Sequence, residues 1–190
     1  MRVCADTDAE VIASSLADPE RFELIFDRHA SRIYRYLRRR LGESVAEELT
    51  AETFTRAFRA RGSFDKVQTS ALPWLFGIAT NLIKMHARAD ERRRRAYRRF
   101  DPQATEPATT DEANERLDAH ALGPALASAL ADLTHDEREA LLLNAWAGLS
   151  PAEIAHALSM SSAIVRKRLH RARTRAAAHL EHAYHIEETR

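Results

Sequence analysis

The strongest constraint on the fold is a short helix, a tight turn and a basic helix near the end of the chain. Ser150-Pro151-Ala152-Glu153 combines an N-cap residue, a first-turn proline and a capping-box glutamate, and therefore predicts a helix start. Ser159-Met160 predicts the turn, and Ser161 predicts the cap of the next helix. The pattern predicts a helix-turn-helix. The predicted core faces are Ile154, Ala155 and Leu158 in the first helix and Ile164, Val165 and Leu169 in the second.

The composition is typical of a helical protein in a reducing compartment. The 190 residues include only 5 Gly and 6 Pro, which argues against a loop-rich β fold. A single cysteine, Cys4, excludes a disulfide framework and a cysteine-based zinc site within one chain. No segment approaches the roughly 18 apolar residues of a membrane span, and the N-terminus lacks an apolar signal core. We therefore expect an all-α, cytoplasmic protein.

The charge distribution divides the chain into two domains. Residues 1–100 carry 20 basic and 14 acidic side chains, whereas residues 101–123 carry 1 and 6. The middle segment also contains two prolines and almost no large apolar residues, so it is predicted to be a flexible linker. The predicted order is an N-terminal tail (1–17), a helical domain (18–100), the acidic linker (101–123), the helix-turn-helix domain (124–182) and a C-terminal tail (183–190).

Three helices are predicted in the first domain. Asp18-Pro19 predicts the start of the first helix, which extends to Leu41-Gly42. Ser44-x-x-Glu47 predicts a capping box for the second, which ends near Gly62. The third follows Pro73 and continues into an arginine-rich segment. The predicted core positions are Phe22, Ile25, Phe26, His29, Ile33, Tyr36 and Leu37, then Val45, Leu49, Thr53, Phe54, Ala57 and Phe58, and then Trp74, Leu75, Ile78, Leu82 and Met85.

The second domain is predicted to begin with an amphipathic segment at Leu122, Leu126 and Leu130. Thr134-x-x-Glu137 predicts a second capping box, opening a helix that ends at Gly148. Six basic residues follow in the last helix with no acidic residue among them. Because they cover more than one helix face, we expect some to contact phosphates and only a few to reach base edges. These residues are Arg166, Lys167, Arg168, Arg171, Arg173 and Arg175.

Both domains resemble one family. FELIFDRHASRIYRYLRRRLG, AEELTAETFTRAF and PWLFGIATNLI are similar to region 2 of the extracytoplasmic-function class of bacterial sigma factors. ALADLTHDEREALLLNAWAGLSPAEIAHALSMSSAIVRKRLHRARTRAAAHL is similar to region 4. The resemblance covers most of residues 20–180 in the family's order. It implies a non-enzymatic factor, without cofactor or metal, that binds core RNA polymerase and directs it to promoter DNA, with an anti-sigma factor as a possible further partner.

The resemblance also implies functional residues. Glu47, Glu48 and Glu52 match the acidic helix that docks on the polymerase clamp, although taken alone they form an ordinary solvated face. Region 2 reads and opens the −10 element, and the matching positions are Phe64, Trp74, Asn81, Lys84 and Arg88. Trp74 suits a base pocket and the core equally well. Region 4 reads the −35 element, and the matching positions are Ser162, Arg166, Lys167, Arg168, Arg171 and Arg173.

Three positions depart from the family's pattern. Ser159 stands where a glycine is usual, Ala163-Ile164 where Gly-Thr is common, and Met85 where an aspartate is frequent. None of these changes conflicts with the fold, but they bear on promoter preference.

Other interpretations remain to be weighed. The segment LTHDEREALLL…AGLSPAEIA also resembles a LuxR-type DNA-binding domain, which makes a helix-turn-helix activator the alternative function. A helical enzyme using Glu47, Glu52 and His86 lacks any pattern that positions those groups. The pair Glu153/His156 and the series His179, His182 and His185 lack the partners a metal site needs. Arginines 92–95 fit either a DNA-tracking patch or a solvated helix end.

Overall fold

The computed structural model describes the backbone of residues 6–100 and 124–188, and the side chains of residues 6–97 and 128–179. In these ranges the chain forms eight α-helices, two short 3-10 turns and no β-strand, which confirms the all-α prediction. The predicted linker, 101–123, lies outside the described residues. We call residues 6–100 the first module and residues 124–188 the second module.

The first module contains four helices. They are α1 (Asp8–Ser14), α2 (Glu23–Leu41), α3 (Glu43–Ala60) and α4 (Leu72–Phe100), with 3-10 turns at Pro19–Phe22 and Arg61–Ser63. Their apolar faces meet in one core, in which the rings of Tyr36 and Phe76 pack edge to face with centroids 5.2 Å apart. Three of the helices correspond to the three predicted from sequence, and α1 is additional.

Helix α1 corrects the predicted N-terminal tail. Thr7 and Glu10 form a capping box at its start, with Glu10 accepting from the Thr7 backbone N–H at 2.7 Å. Val11 and Ile12 are buried in the core of the first module. A helix of seven residues is too short to produce a periodic signal in sequence.

Two predicted helix starts in the first module are wrong in detail. The Asp18 side chain makes no capping hydrogen bond, and the chain enters α2 through the 3-10 turn instead. Gly42, at φ 80°, is the single residue between α2 and α3, so α3 already begins at Glu43. Ser44 therefore lies inside the first turn of α3 and cannot act as its N-cap.

The second module contains the predicted helix-turn-helix. Its helices are α5 (Pro124–Ala131), α6 (His135–Ala145), α7 (Pro151–Ala157) and α8 (Ser162–Glu188). The capping boxes at Thr134 and Ser150 are both present, and the backbone N–H of Ile164 donates to Ser161 Oγ at 3.3 Å. Ser159 lies in the left-handed region at φ 52°, where glycine has no steric penalty. Helix α8 extends beyond the predicted boundary at residue 182.

Three residues predicted to face the core are exposed instead. Phe26 is 45% exposed, Met85 49% and Ile164 47%. In α8 the buried stripe passes through Val165, Leu169, Ala172 and Ala176, which leaves Ile164 on the flank of the helix.

The two modules contact each other directly. Helix α4 packs on α7 at Gly77, where an added Cβ would lie 2.6 Å from the Ala157 carbonyl oxygen. Arg32 Nη2 donates to the Ala147 carbonyl at 2.7 Å. The sequence predicted a tether between two modules but gave no indication of this contact.

Candidate nucleic-acid interface

The basic helix α8 carries two groups of charged residues. Val165, Leu169, Ala172 and Ala176 face the core, so the remaining positions cover the outside and flanks of the helix. Arg168 pairs with Asp136 at 2.7 Å, and Arg175 pairs with Glu137 at 2.9 Å. Arg173 Nη2 donates to Asn144 Oδ1 at 2.7 Å. These three side chains are held against α6. Arg166, Lys167 and Arg171 are exposed and make no such hydrogen bond or ion pair with α6, although the charge of Arg171 acts on Glu137.

Helix α6 provides the acidic side of these contacts. Burial opposes the ionisation of Glu137, but hydrogen bonds from Thr134 and the charges of Arg175 and Arg171 hold the pKa of Glu137 below its ordinary value. The carboxylate is therefore ionised at neutral pH, and its ion pair holds α8 against α6. Helix α8 is thus held against α6, while Arg166 and Lys167 are exposed on its outer side.

An exposed apolar side chain accompanies these basic residues. Ile164 lies seven residues before Arg171 and therefore shares one flank of α8 with it. The sequence pattern placed Ile164 in the core, because an isoleucine beside Val165 at the start of a helix gives no sign of which one faces inward. Ser162 is half-buried at the first position of the same helix.

The residues matched to the −10 reader lie on one face of α4, except for Phe64. Trp74, Asn81, Lys84 and Arg88 follow each other at helical spacing, opposite the buried stripe. Asn81 and Arg88 are exposed, and Trp74 and Lys84 are half-buried. Phe64 is buried in the loop before α4, where its ring lies 5.2 Å from that of Trp74. Gly77, the contact point with the second module, lies on this same face.

The arginine-rich end of α4 is partly neutralised by its own helix. Arg93 pairs with Asp90 at 2.6 Å, and Arg95 pairs with Glu91 at 2.7 Å. For these two arginines the pairing favours the interpretation as a solvated helix end. Pairs of this kind on an exposed helix stabilise it by about 0.2–0.5 kcal/mol each.

The acidic residues of α3 border an apolar groove. Glu47 and Glu48 are exposed, and Glu52 is held by Arg56 at 2.6 Å. Beside Glu47 lies an open groove of about 360 Å³ between α2 and α3. The exposed ring of Phe26 contributes to it and packs against Phe54 with centroids 4.9 Å apart. We call it the α2–α3 groove, lined by Phe26, Ala30, Ser31, Tyr34, Glu47, Thr50 and Ala51.

The described residues provide no cluster of three or more metal-ligating side chains. His179 pairs with Asp132 instead, and Glu153 is used in the capping box of Ser150. His182 and His185 have no described side chains. Among the described helices, none has the length and apolar character to span a membrane.

Comparison with known families identifies the class of the protein. The family described as Sigma-70 region 2 matches residues 25–94, and Sigma-70, region 4 matches residues 124–175. The chain therefore belongs to the sigma-70 family of RNA polymerase sigma factors, and it directs transcription initiation. Because the upstream module matches region 2, the LuxR-type alternative is not favoured.

Individual relatives narrow the class to extracytoplasmic-function (ECF) sigma factors. The chain is 32% identical over 168 residues to ECF RNA polymerase sigma factor SigL of Mycobacterium tuberculosis, covering 85% of this chain and 90% of SigL. It is 29% identical to ECF RNA polymerase sigma factor BldN of Streptomyces coelicolor, covering 90% of this chain and 66% of BldN. The solved structure of CnrH in complex with the cytosolic domain of CnrY is 26% identical, with a TM-score of 0.64, and covers 92% of this chain and 97% of CnrH.

Proposed function

We propose that the second module reads the −35 promoter element through the outer face of α8, and that the first module reads and opens the −10 element through α4 and the loop before it. The observation that supports this most directly is the division of the basic residues on α8. Arg168, Arg173 and Arg175 hold the helix in place, while Arg166, Lys167 and Arg171 remain in solvent. A helix that reads DNA needs one group of residues that fixes its orientation and another group that contacts the DNA.

The α4 face supports the proposal that the first module, which matches region 2, reads the −10 element. Single-stranded bases are held by aromatic or apolar surfaces next to basic groups. Trp74, Lys84 and Arg88 combine these features on one face, and Asn81 adds an exposed amide. Phe64 is buried, so we assign it a supporting role behind Trp74 rather than contact with DNA.

The α2–α3 groove supports the proposed docking on core RNA polymerase. An apolar groove with Glu47 at its edge and Glu48 close by fits a helix that presents apolar and basic side chains. In this proposal Glu52 contributes charge from within its pair with Arg56. No catalysis is involved, and the protein acts in the cytoplasm, where it meets polymerase and DNA.

The similarity to CnrH supports one further partner. CnrH is solved with the cytosolic domain of CnrY bound. We propose that this chain is also restrained by a protein partner, an anti-sigma factor that competes with core polymerase. Addition of the partner should then abolish binding to core polymerase in a pull-down experiment.

The central experiment measures binding to sigma-free core RNA polymerase, followed by transcription from a pool of genomic fragments. We expect tight binding and discrete new start sites that share one promoter motif. Binding to duplex DNA alone, with no binding to core, would instead support an activator and contradict the proposal.

Two double variants, each with a matched control, test the −35 assignment and the docking assignment. Arg166→Ala with Arg171→Ala should abolish promoter-specific transcription and lower the salt dependence of DNA binding by about one unit of slope for each lost phosphate contact. Arg21→Ala with Arg59→Ala makes the same change in net charge on the first module and should leave promoter binding intact.

For docking, Glu47→Lys with Glu52→Lys should weaken binding to core polymerase. Glu20→Lys with Glu23→Lys is the matched control, because both residues are exposed on the first module outside the groove. Equal affinities of the two double variants for core polymerase would remove the docking assignment.

A further inference from the structure

Helix α1 lies outside the region matched to the family, yet its first residue is buried and charged. The Asp8 carboxylate accepts hydrogen bonds from two side chains of α2 and from the backbone of the residue that precedes α4. Asp8 Oδ1 accepts from Arg28 Nη1 at 2.9 Å, and Asp8 Oδ2 accepts from His29 Nε2 at 2.6 Å. Asp8 Oδ2 also accepts from the backbone N–H of Ala71 at 2.8 Å. Both carboxylate oxygens therefore accept hydrogen bonds, three in all.

The contact with Ala71 is made at the start of α4. Ala71 precedes the first residue of that helix, and its carbonyl accepts the first helical hydrogen bond, from Leu75. The N–H groups at a helix start have no partner within the helix, and a carboxylate there is favoured by both hydrogen bonding and the helix dipole. Asp8 thus caps α4 from a separate helix.

The other end of α1 holds the beginning of the same loop. Arg61 Nε donates to the Ser15 carbonyl at 3.3 Å, just after α1 ends. Leu16 lies against Gly62, within 3.9 Å of where a Cβ would stand. The two ends of α1 therefore fix the two ends of residues 61–71, the loop that carries Phe64 and leads into the α4 face.

Between these fixed ends Phe64 is buried, and most of the residues that follow it are open to solvent. Asp65, Lys66, Val67 and Thr69 are exposed, with Val67 84% exposed. The hydrogen bonds inside this exposed part are short-range and include those from the Val67 N–H to Asp65 Oδ1 and from the Gln68 N–H to the Asp65 carbonyl. The exposed part of the loop is therefore held by the buried ring of Phe64 on one side and by the Ala71 contact on the other, so the contacts of α1 help to decide how freely it moves.

We propose that Asp8 is a positioning residue for promoter opening: through the Ala71 N–H it holds the 61–71 loop and the first turn of α4 in the conformation that captures a −10 base. This inference rests on the −10 assignment proposed above. A preformed loop loses little conformational entropy when it binds a base, whereas a free loop must become ordered at that moment. Asp8 acts through the loop and does not itself touch DNA.

The test uses the full-length chain bound to core polymerase on a promoter selected as described above. Asp8→Ala removes all three hydrogen bonds, whereas Asp8→Asn keeps an acceptor for Ala71 and loses the charge. Asp6→Asn is the matched control, because Asp6 makes an exposed ion pair with Arg21 just before α1. Opening is followed by single-strand-specific modification of bases in the −10 element, and affinity for core polymerase is measured separately.

We expect Asp8→Ala to slow opening by about tenfold, which corresponds to losing the preorganisation of roughly one residue. The same variant should discriminate less between the matched −10 element and one with a substituted base, with unchanged affinity for core polymerase. Asp8→Asn should have a smaller effect and Asp6→Asn none. Loss of base discrimination separates positioning from a general loss of folded protein.

Hydrogen exchange of the backbone amides of residues 61–72 gives a readout that does not depend on transcription. Faster exchange in Asp8→Ala, together with slower opening, would support the inference. Unchanged opening and unchanged base discrimination in Asp8→Ala would overturn it while leaving the −10 assignment intact. Failure of the wild-type chain to open any promoter would overturn the proposed function itself, and the inference with it.

Discussion

Arg40 of α2 donates a hydrogen bond from Nη1 to the carboxylate of Glu139 in α6, and both side chains are buried where the two modules meet. Burial opposes the positive charge of Arg40, but the adjacent oxygens of Tyr36 and Glu139 outweigh it and raise the pKa of Arg40. The second oxygen of Glu139, Oε2, is buried without a hydrogen-bond partner in the described structure. The contact between modules therefore contains a charged pair that is incompletely satisfied.

This pair gives two substitutions with different expected effects. Glu139→Gln leaves the Arg40 charge buried without a counter-charge. We expect this variant to lower the free energy of unfolding by about 3–5 kcal/mol as long as the two modules remain in contact. Arg40→Met with Glu139→Leu removes both charges and should be neutral or stabilising. Urea denaturation measures both variants. Equal destabilisation by the single and double variants would contradict the buried pair.

The contact at Gly77 concerns function as well as stability. It lies on the α4 face that carries the proposed −10 residues, and the −10 and −35 elements are centred about 25 base pairs, or roughly 85 Å, apart along B-form DNA. Two modules in contact through α4 and α7 cannot span that distance. In the proposed function, this contact therefore opens before both elements are read.

Gly77→Ala should weaken this contact. On an exposed helix, replacing glycine by alanine stabilises by about 1 kcal/mol. Here the new Cβ would meet the backbone of Ala157 at 2.6 Å. We therefore expect the form in which the two modules are in contact, the closed form, to be destabilised by about 1–3 kcal/mol. Small-angle scattering should show a larger radius of gyration.

Gly62→Ala is the control for this prediction. Its Cβ would meet only the Leu16 side chain, at an ordinary 3.9 Å. An equal response of Gly62→Ala and Gly77→Ala, or a more stable closed form in Gly77→Ala, would show that the α4–α7 contact is not close in solution.

Local signals in the sequence predicted much of the fold. The capping boxes at Thr134 and Ser150 act within four residues, so they can be recognised without knowledge of the partner helices. The same reasoning failed at Ser44, because the one-residue connection at Gly42 moved the helix start. Helix α1 was missed although Thr7-x-x-Glu10 is also a capping-box pattern, because its seven residues give only a short periodic signal.

The candidate site was predicted unevenly for a related reason. The basic residues of α8 are visible in sequence, but which of them are held by α6 depends on contacts across 29 to 38 residues, such as Arg173 with Asn144 and Arg175 with Glu137. The burial of Phe64 and the exposure of Phe26 likewise depend on tertiary packing. Periodicity identifies a helix face but does not determine which neighbour covers it.

Asp8 predicts a specific pH dependence of stability. Burial raises its pKa, but hydrogen bonds from His29, Ala71 and Arg28 outweigh burial and lower it to about 2, below the ordinary value of 3.8. The contribution of Asp8 is therefore complete above about pH 4 and is lost as the pH falls through about 2.

The comparison of wild type with Asp8→Asn isolates this effect. The difference in free energy of unfolding should be largest at neutral pH, with an ionisation-linked part of up to about 2 kcal/mol, and that part should vanish near pH 2. Urea titrations at several pH values measure it. If the difference in free energy of unfolding between wild type and Asp8→Asn stays constant from pH 7 to pH 2, the effect of the substitution comes from altered packing and not from the lost charge.

Ile164 provides a test of base reading that is independent of charge. Its exposed side chain lies on the same flank of α8 as Arg171, two helical turns before it, and an apolar side chain in the major groove contacts the methyl group of thymine. Ile164→Ala should therefore weaken binding to the matched −35 element by about 1 kcal/mol without changing the salt dependence, since no phosphate contact is lost. Replacing the thymines of that element one at a time by uracil removes single methyl groups. If Ile164 reads a thymine, one such replacement will weaken wild-type binding and have no further effect on Ile164→Ala, whereas additive losses at every thymine would place Ile164 away from the bases.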